Sequence, residues 1–206
     1  MERETENITI TQEAEAGCAA WKSALRAKLR RAIKELPSSY CREADGKIRE
    51  RILALPEYGR AEAVFCFVGT KREIDTLPLI EEALRQGKQV SVPLCTGEGI
   101  MEARRILSVS QLRPGRYGIL EPEPDTPRTA PGELDLSLIP CLSCSSRGGR
   151  LGQGGGYYDR YLRLAGGRKA VLCRRLLMRE EIPLEAHDVP AELVICEEAV
   201  WRRPPV

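Results

Sequence analysis

The sequence has one histidine, His187, and no second Cys-x-x-Cys to accompany Cys141 and Cys144. A structural zinc site takes four ligands, so it would have to gather two more from scattered positions. The two thiols read instead as packing beside a loop. Charge of one sign is also missing, since 32 Lys+Arg against 30 Asp+Glu leave a formal +2. That balance argues against a nucleic-acid binder or a membrane-surface protein. No apolar run approaches the ~18–20 residues of a membrane span. The opening "MERETENITITQEAEAG" is acidic and lacks the apolar segment of a secretory signal, so the expected location is the cytoplasm. No internal repeat or long low-complexity linker divides the 206 residues. The expectation is a polar extension over 1–18 and one domain over 19–206.

Cysteine itself is not scarce. Eight are spread through the chain, several inside apolar runs such as "AVFCFVG" and "KAVLC". Scattered placement in a chain with an ordinary core points to reduced, buried thiols rather than a disulfide framework.

The apolar pattern gives the fold class. "WKSALRAKLRRAIKEL" carries Trp21, Leu25, Leu29, Ile33 and Leu36 at helical spacing, and Pro37 with two serines ends it. A second helix is expected over about 40–54, before Pro56. "AEAVFCFVG" reads as a buried strand, "DTLPLIEEALRQG" as a helix with Gly87 past its end, and "KQVSVP" and "MEARRIL" as strands. "LDLSLIP" is expected to be a strand leading straight into a glycine loop. Beyond it come a helix at "YYDRYLRLA", a strand at "KAVLC" and a last strand at "ELVIC". Alternating strands and helices imply an α/β domain, a mostly parallel sheet flanked by helices on both faces, Rossmann-like.

Glycine is concentrated at one place. In "RGGRLGQGGGYYDRYL" six glycines stand between positions 148 and 156. Each adds roughly 0.5–1 kcal/mol of backbone entropy to the cost of ordering the loop, so something must approach the backbone closely. At a strand–loop–helix junction that something is naturally a phosphate, with Arg147 and Arg150 as charged donors. Asp159 has the chemistry to hold a Mg2+ bridging phosphate oxygens. Neither the P-loop nor the dinucleotide pattern fits, because Gly155 and Gly156 replace Lys-Ser/Thr and Tyr157 replaces the third glycine. Spacing alone leaves a phosphate site or a turn serving close strand–helix packing.

"RLGQGGGYYDRYL" resembles the RLG-x-G-x-G-YYD signature of the 5-formyltetrahydrofolate cyclo-ligase (methenyltetrahydrofolate synthetase) family. The resemblance runs from about Trp21 to the end, through "FVGTKREIDT", "GKQVSVP", "GRYGILEP" and "IPLEAHDVPAELV". It implies a parallel α/β sheet, and an ATP- and Mg2+-dependent conversion of 5-formyltetrahydrofolate into 5,10-methenyltetrahydrofolate. ATP would be the co-substrate and Mg2+ the metal. The partners would be small molecules, with no nucleic acid and no membrane, acted on by a monomer.

The resemblance also implies roles. Lys22 and Arg26, one helical turn apart, match a cationic clamp on ATP phosphates. Without it they read as a solvated basic face with Lys28, Arg30 and Lys34. Arg150, Leu151, Gly152, Gln153, Gly154, Gly155, Gly156, Tyr157 and Tyr158 match the nucleotide loop, with Arg150 and Tyr157 as catalytic positions. Gln153 to Tyr157 would also border the folate. Glu73 would hydrogen-bond the pterin, and Val68, Met101 and Tyr117 would line an apolar pocket. Asp159 and Asp188 match the metal carboxylates.

Several positions depart from the family pattern. Cys141, Leu142, Ser143, Cys144 and Ser145 stand where Gly-x-x-Phe-Asp is usual. Gln153 replaces a tyrosine, arginine or lysine, Arg175-Leu176 a Gln-Leu, and Cys196-Glu197 a Thr-Glu. The alternative to the family activity is a diverged member that binds ATP but acts on another formyl or acyl substrate, or serves a regulatory, non-catalytic role.

Overall fold

The computed structural model describes the backbone of residues 2–203 and the side chains of 17–116 and 118–203. Five helices are α1 (Glu2–Glu35), α2 (Ser38–Leu53), α3 (Pro56–Arg60), α4 (Leu77–Arg85) and α5 (Tyr157–Leu162). The strands of the amino-terminal half are β1 (Ala63–Cys66), β2 (Gln89–Gly97), β3 (Ile100–Ile106), β4 (Leu112–Pro114), β5 (Leu120–Pro122) and β6 (Arg128–Thr129). The rest are β7 (Leu136–Ile139), β8 (Ser143–Cys144), β9 (Arg150–Leu151), β10 (Arg168–Leu172), β11 (Leu193–Ile195) and β12 (Val200–Arg202). Eight form one sheet in the order β12-β11-β10-β7-β1-β2-β3-β6, while β4–β5 and β8–β9 are separate two-stranded ribbons.

From β11 to β2 neighbouring strands pair in parallel; β12, β3 and β6 pair antiparallel at the edges. Both faces of the parallel strands are buried, which explains their unbroken apolar runs. Side chains alternate between the faces. Val64, Cys66, Leu136, Leu138, Ala170 and Leu172 pack with Ile48 and Ile52 of α2 and Leu79, Ile80 and Ala83 of α4. Phe65, Ile139, Val171 and Cys173 pack with Leu29 of α1 and with Tyr161 and Leu162 of α5. Leu29 is fully buried, and such burial contributes roughly 1.5–3 kcal/mol to docking α1.

Four local expectations change. The helix expected from Trp21 begins at Glu2, and Trp21 is 46% exposed rather than on the packed face. The side chains of 1–16 are outside the described ones. Ser38 and Ser39 open α2 instead of closing α1. "ELVIC" is not the last strand, because β12 turns back along it. Finally, "LDLSLIP" does not lead straight into the glycine loop, because the β8–β9 hairpin intervenes. Its turn needs Gly148, where φ is +87° and a Cβ would collide with the Ala191 carbonyl. The Ser145 hydroxyl accepts from Gly149 N–H and closes the turn. Gly87, at φ +78° just past α4, fills the expected role.

Candidate active site

A cavity of about 570 Å³ opens where β1, β2, β7 and β9 end, beneath α1. Its walls include Lys22, Arg26, Val68, Glu73, Met101, every residue from Arg150 to Asp159, and Asp188. Positions from five regions of the chain thus meet at one place, at the carboxyl ends of parallel strands where α/β sheets bind ligands. Among the sequence-expected positions, Tyr117 is the exception. Its side chain lies outside the described residues.

The helix α1 fastens one side. Lys22 is 3% exposed, and its ammonium donates to Glu185 Oε2 and Asp188 Oδ2, each at 2.5 Å. Burial works against the Lys22 charge, but hydrogen bonds and the charges of Asp188 and Glu185 hold its pKa above the ordinary 10.5. Lys22 is therefore not part of a solvated basic face. Arg26 Nε donates to the Gly152 carbonyl at 3.0 Å, and Arg30 Nη2 to the Gln153 carbonyl at 3.1 Å. Lys22, Arg26 and Arg30 follow at i, i+4 and i+8, so one stripe of the helix holds both the glycine loop and the 185–188 turn. That spacing was a readable signal for Arg30.

The glycine loop runs from β9 into α5. Arg150, 5% exposed, donates from Nη2 to Asp159 Oδ1 at 2.6 Å and lies 5.7 Å from the centre of the Tyr158 ring. Its Nε is buried without a hydrogen-bond partner. Asp159 Oδ1 also receives the Val189 N–H at 3.4 Å, which sets the Asp159 carboxylate beside the segment carrying Asp188. Positive φ falls at Gly154 (+101°) and Gly156 (+68°), the latter capping α5. Tyr157 Oη donates to the Gly97 carbonyl at 3.2 Å. Burial, with the Glu73 charge adding to it, pushes the Tyr158 phenol well above its usual range.

Glu73 sits on the loop after β1. A Cβ at Gly69 would collide with the Ile74 carbonyl, so the loop doubles back on a glycine. Thr76 ties its ends, accepting from Gly69 N–H and donating to the Phe67 carbonyl. Buried Arg174 holds its outer edge, donating to the carbonyls of Arg72 and Glu73 while paired with Asp45 at 2.8 Å. Burial opposes the Arg174 charge, yet Asp45 keeps its pKa raised. Among the described residues the Glu73 carboxylate accepts only locally, from Thr70 N–H. Glu121, 7% exposed on β5, joins the opposite wall by accepting from Cys95 N–H and Arg116 N–H. With burial, Glu121 pushes the Cys95 thiol up to about 11.

Sequence reasoning missed Glu185, His187, Glu121 and Arg174. Glu185, His187 and Asp188 bring one ligand atom each within 4.8 Å of one another. "EAHD" was itself the signal, a carboxylate three residues before Asp188 on the same turn, where Asp188 accepts from Glu185 N–H. Glu185 and Asp188 offer hard carboxylate oxygens of the kind Mg2+ takes, and Asp159 lines the same cavity outside that group. Arg150, Arg26 and Lys22 are the charges that phosphates take.

Comparison with known proteins gives a consistent result. Residues 18–197 match the model of the 5-formyltetrahydrofolate cyclo-ligase family. The 5-formyltetrahydrofolate cyclo-ligase of Mycolicibacterium smegmatis is 32% identical over 179 residues, 82% of this chain and 89% of that protein. The Escherichia coli K12 protein of the same description is 31% identical over 157 residues, 73% of this chain and 86% of that one. The solution structure of 5,10-methenyltetrahydrofolate synthetase from Aquifex aeolicus superposes with a TM-score of 0.79 at 30% identity, covering 90% of this chain and 94% of its own. A Mycoplasma pneumoniae synthetase, 20% identical, shares the fold at a TM-score of 0.70.

Proposed function

The chain belongs to the 5-formyltetrahydrofolate cyclo-ligase family, and from that premise we propose that it closes the ring of 5-formyltetrahydrofolate at the expense of ATP. The products are 5,10-methenyltetrahydrofolate, ADP and phosphate. An N-formyl amide is a weak electrophile with a poor leaving group. Its oxygen attacks the γ-phosphorus of ATP and releases ADP, which makes that oxygen a phosphate ester. N-10 then attacks the formyl carbon, loses its proton, and the C–O bond breaks to expel phosphate.

The observation that carries the reading is the convergence of Lys22, Arg26, Glu73, Arg150–Asp159 and Asp188 on one cavity of about 570 Å³. That volume lies within the ~300–1,000 Å³ of small-molecule sites. Protein groups contribute mainly position and charge, as in other phosphoryl transfers. Arg150 faces the charge that develops during transfer, with an Nε still unpartnered and a stem fixed by Asp159. Arg26 orients the loop carbonyls, so that backbone N–H groups of Gly154 to Gly156 are left for phosphate oxygens. Glu73, on its tied loop, accepts from pterin N–H groups, and Val68 and Met101 supply the apolar wall. Asp159 and Asp188 would hold the Mg2+, whose chemistry is to neutralise charge on the phosphates.

The two carboxylates are paired with Arg150 and Lys22. The cations and carboxylates therefore arrive already positioned, each able to exchange a protein partner for a ligand one. Incubation of the pure protein with 5-formyltetrahydrofolate, ATP and Mg2+ tests the reading. The methenyl product is followed by its absorbance, and no product from folded protein at high concentration would favour a different formyl or acyl substrate.

A further inference from the structure

Cys141 and Cys144 do not stand alone in the fold. The β7 and β10 strands are parallel neighbours, pairing Leu138 with Ala170 and Ile139 with Val171. Their carboxyl ends therefore bring Cys141, two residues past β7, beside Cys173, one residue past β10. The β8–β9 hairpin then folds Cys144 back onto both. The three sulfur atoms lie within 4.8 Å of one another, and the Cys141 and Cys173 thiols donate to the carbonyls of Leu172 and Arg174.

We infer that Cys141, Cys144 and Cys173 bind a single thiophilic d10 cation, of the class of Zn2+, Cd2+ or Cu+. Zinc–thiolate bonds are ~2.3 Å, which sets sulfur atoms about 3.8–4.0 Å apart around a shared ion. That spacing is compatible with three sulfur atoms lying within 4.8 Å of one another. The donor set is entirely sulfur, which selects soft cations over Mg2+ or Ca2+. The ring closure and phosphoryl transfer above give these thiols no task.

Access and charge agree with the assignment. Cys141 is half-buried and reaches the main cavity, while Cys144 and Cys173 are buried. Cys141 and Cys173 also line a neighbouring cavity of about 310 Å³, which opens two of the three positions to solvent. On binding a divalent ion the three thiols form three metal–sulfur bonds and release three protons to solvent. The resulting single negative charge sits near the guanidinium group of Arg150. A fourth coordination position remains for water. The bound ion would clip the ends of β7 and β10 to the hairpin on which Cys144 is the register partner of Arg150.

Titration of the reduced protein with Cd2+ in Mg2+-free buffer tests this. A thiolate-to-metal charge-transfer band in the ultraviolet should saturate at one equivalent. Cys141→Ser and Cys173→Ser should each weaken binding at least tenfold, whereas Cys41→Ser should bind as wild type. Should either variant fail to fold, X-ray absorption of the wild-type protein with one equivalent of Zn2+ decides, with three sulfur scatterers expected at ~2.3 Å. A shell of oxygen and nitrogen only, as Glu185, His187 and Asp188 would give, overturns the inference. So does a charge-transfer band unchanged in Cys141→Ser.

Discussion

Asp159 accepts from Arg150 at 2.6 Å, closing the glycine loop with an ion pair across nine positions. The loop's first and last charged residues thus set each other's place. Arg150 is almost wholly buried, while the Asp159 side chain is 20% exposed and faces the cavity. Asp159→Asn should act at two levels. It removes a carboxylate proposed to hold Mg2+ and leaves the buried Arg150 guanidinium with a weaker acceptor. Turnover is expected to fall at least tenfold and its Mg2+ requirement to rise, with ATP binding in the presence of a chelator changing less. Unfolding should show a loss of about 1.5–3 kcal/mol, the range for hydrogen bonds to charged groups. Wild-type turnover across a Mg2+ titration would refute the metal assignment.

Lys22 and Arg26 separate into different kinds of residue. Lys22→Ala leaves Asp188 and Glu185 without their shared buried donor and should lower stability by about 1–3 kcal/mol. Arg26→Ala should leave the melting temperature nearly unchanged and weaken ATP binding, because it loses the Gly152 carbonyl contact and a phosphate donor. Calorimetry of both variants, with thermal melts, distinguishes them. Equal melting temperatures for the two would mean that burial of Lys22 contributes nothing to the fold.

The raised pKa of Lys22 gives a pH dependence of defined sign. A lysine whose folded value exceeds its unfolded one contributes its full stability below the unfolded value. That contribution declines as pH rises through the folded one. The stability gap between wild type and Lys22→Met should therefore be constant from neutral pH to about 10 and shrink above 10.5. Denaturant melts at stepped pH measure it, and a gap that closes below pH 9 would contradict the pairing.

At Gly156 a side chain meets two obstacles. The residue has φ +68°, and a Cβ would lie 2.8 Å from Arg160 Nη1. Gly155 lacks a positive φ, and its Cβ would meet the Tyr157 ring at 3.0 Å. Gly156→Ala should cost about 1–2 kcal/mol of stability through backbone strain and raise the KM for ATP. Gly155→Ala should displace Tyr157 and lower kcat with a smaller change in melting temperature. The reverse ranking of the two in thermal melts would count against this placement of the loop.

The sequence carried those features whose physics is local. Short apolar runs buried on both faces made β1, β7, β10 and β11 legible, and glycine density located the loop. The β8–β9 hairpin was hidden because two-residue strands leave no periodic pattern. The β12 strand was hidden because "VWR" follows a charged turn. In the site, the roles of Lys22, Glu73 and Asp188 came from family resemblance, since each reads locally as an ordinary surface charge. Glu121 and Arg174 escaped both routes. Their positions depend on pairings with Cys95 and Asp45 that only the folded chain creates.

The ion pairs of Lys22 with Glu185 and Asp188 span 163 and 166 positions. Contacts of such separation form late, because the loop they close is nearly the whole domain. During synthesis Lys22 of the first helix must wait for its two carboxylates until the 185–188 turn has left the ribosome. Arg26 and Arg30 of that same helix reach the carbonyls of the glycine loop, which precedes the turn in the chain. A nascent chain stopped short of residue 188 would hold most of the sheet and all six glycines, yet lack a finished cleft. Nucleotide capture would then mark the end of translation, and ATP would select for completed molecules by stabilising them alone.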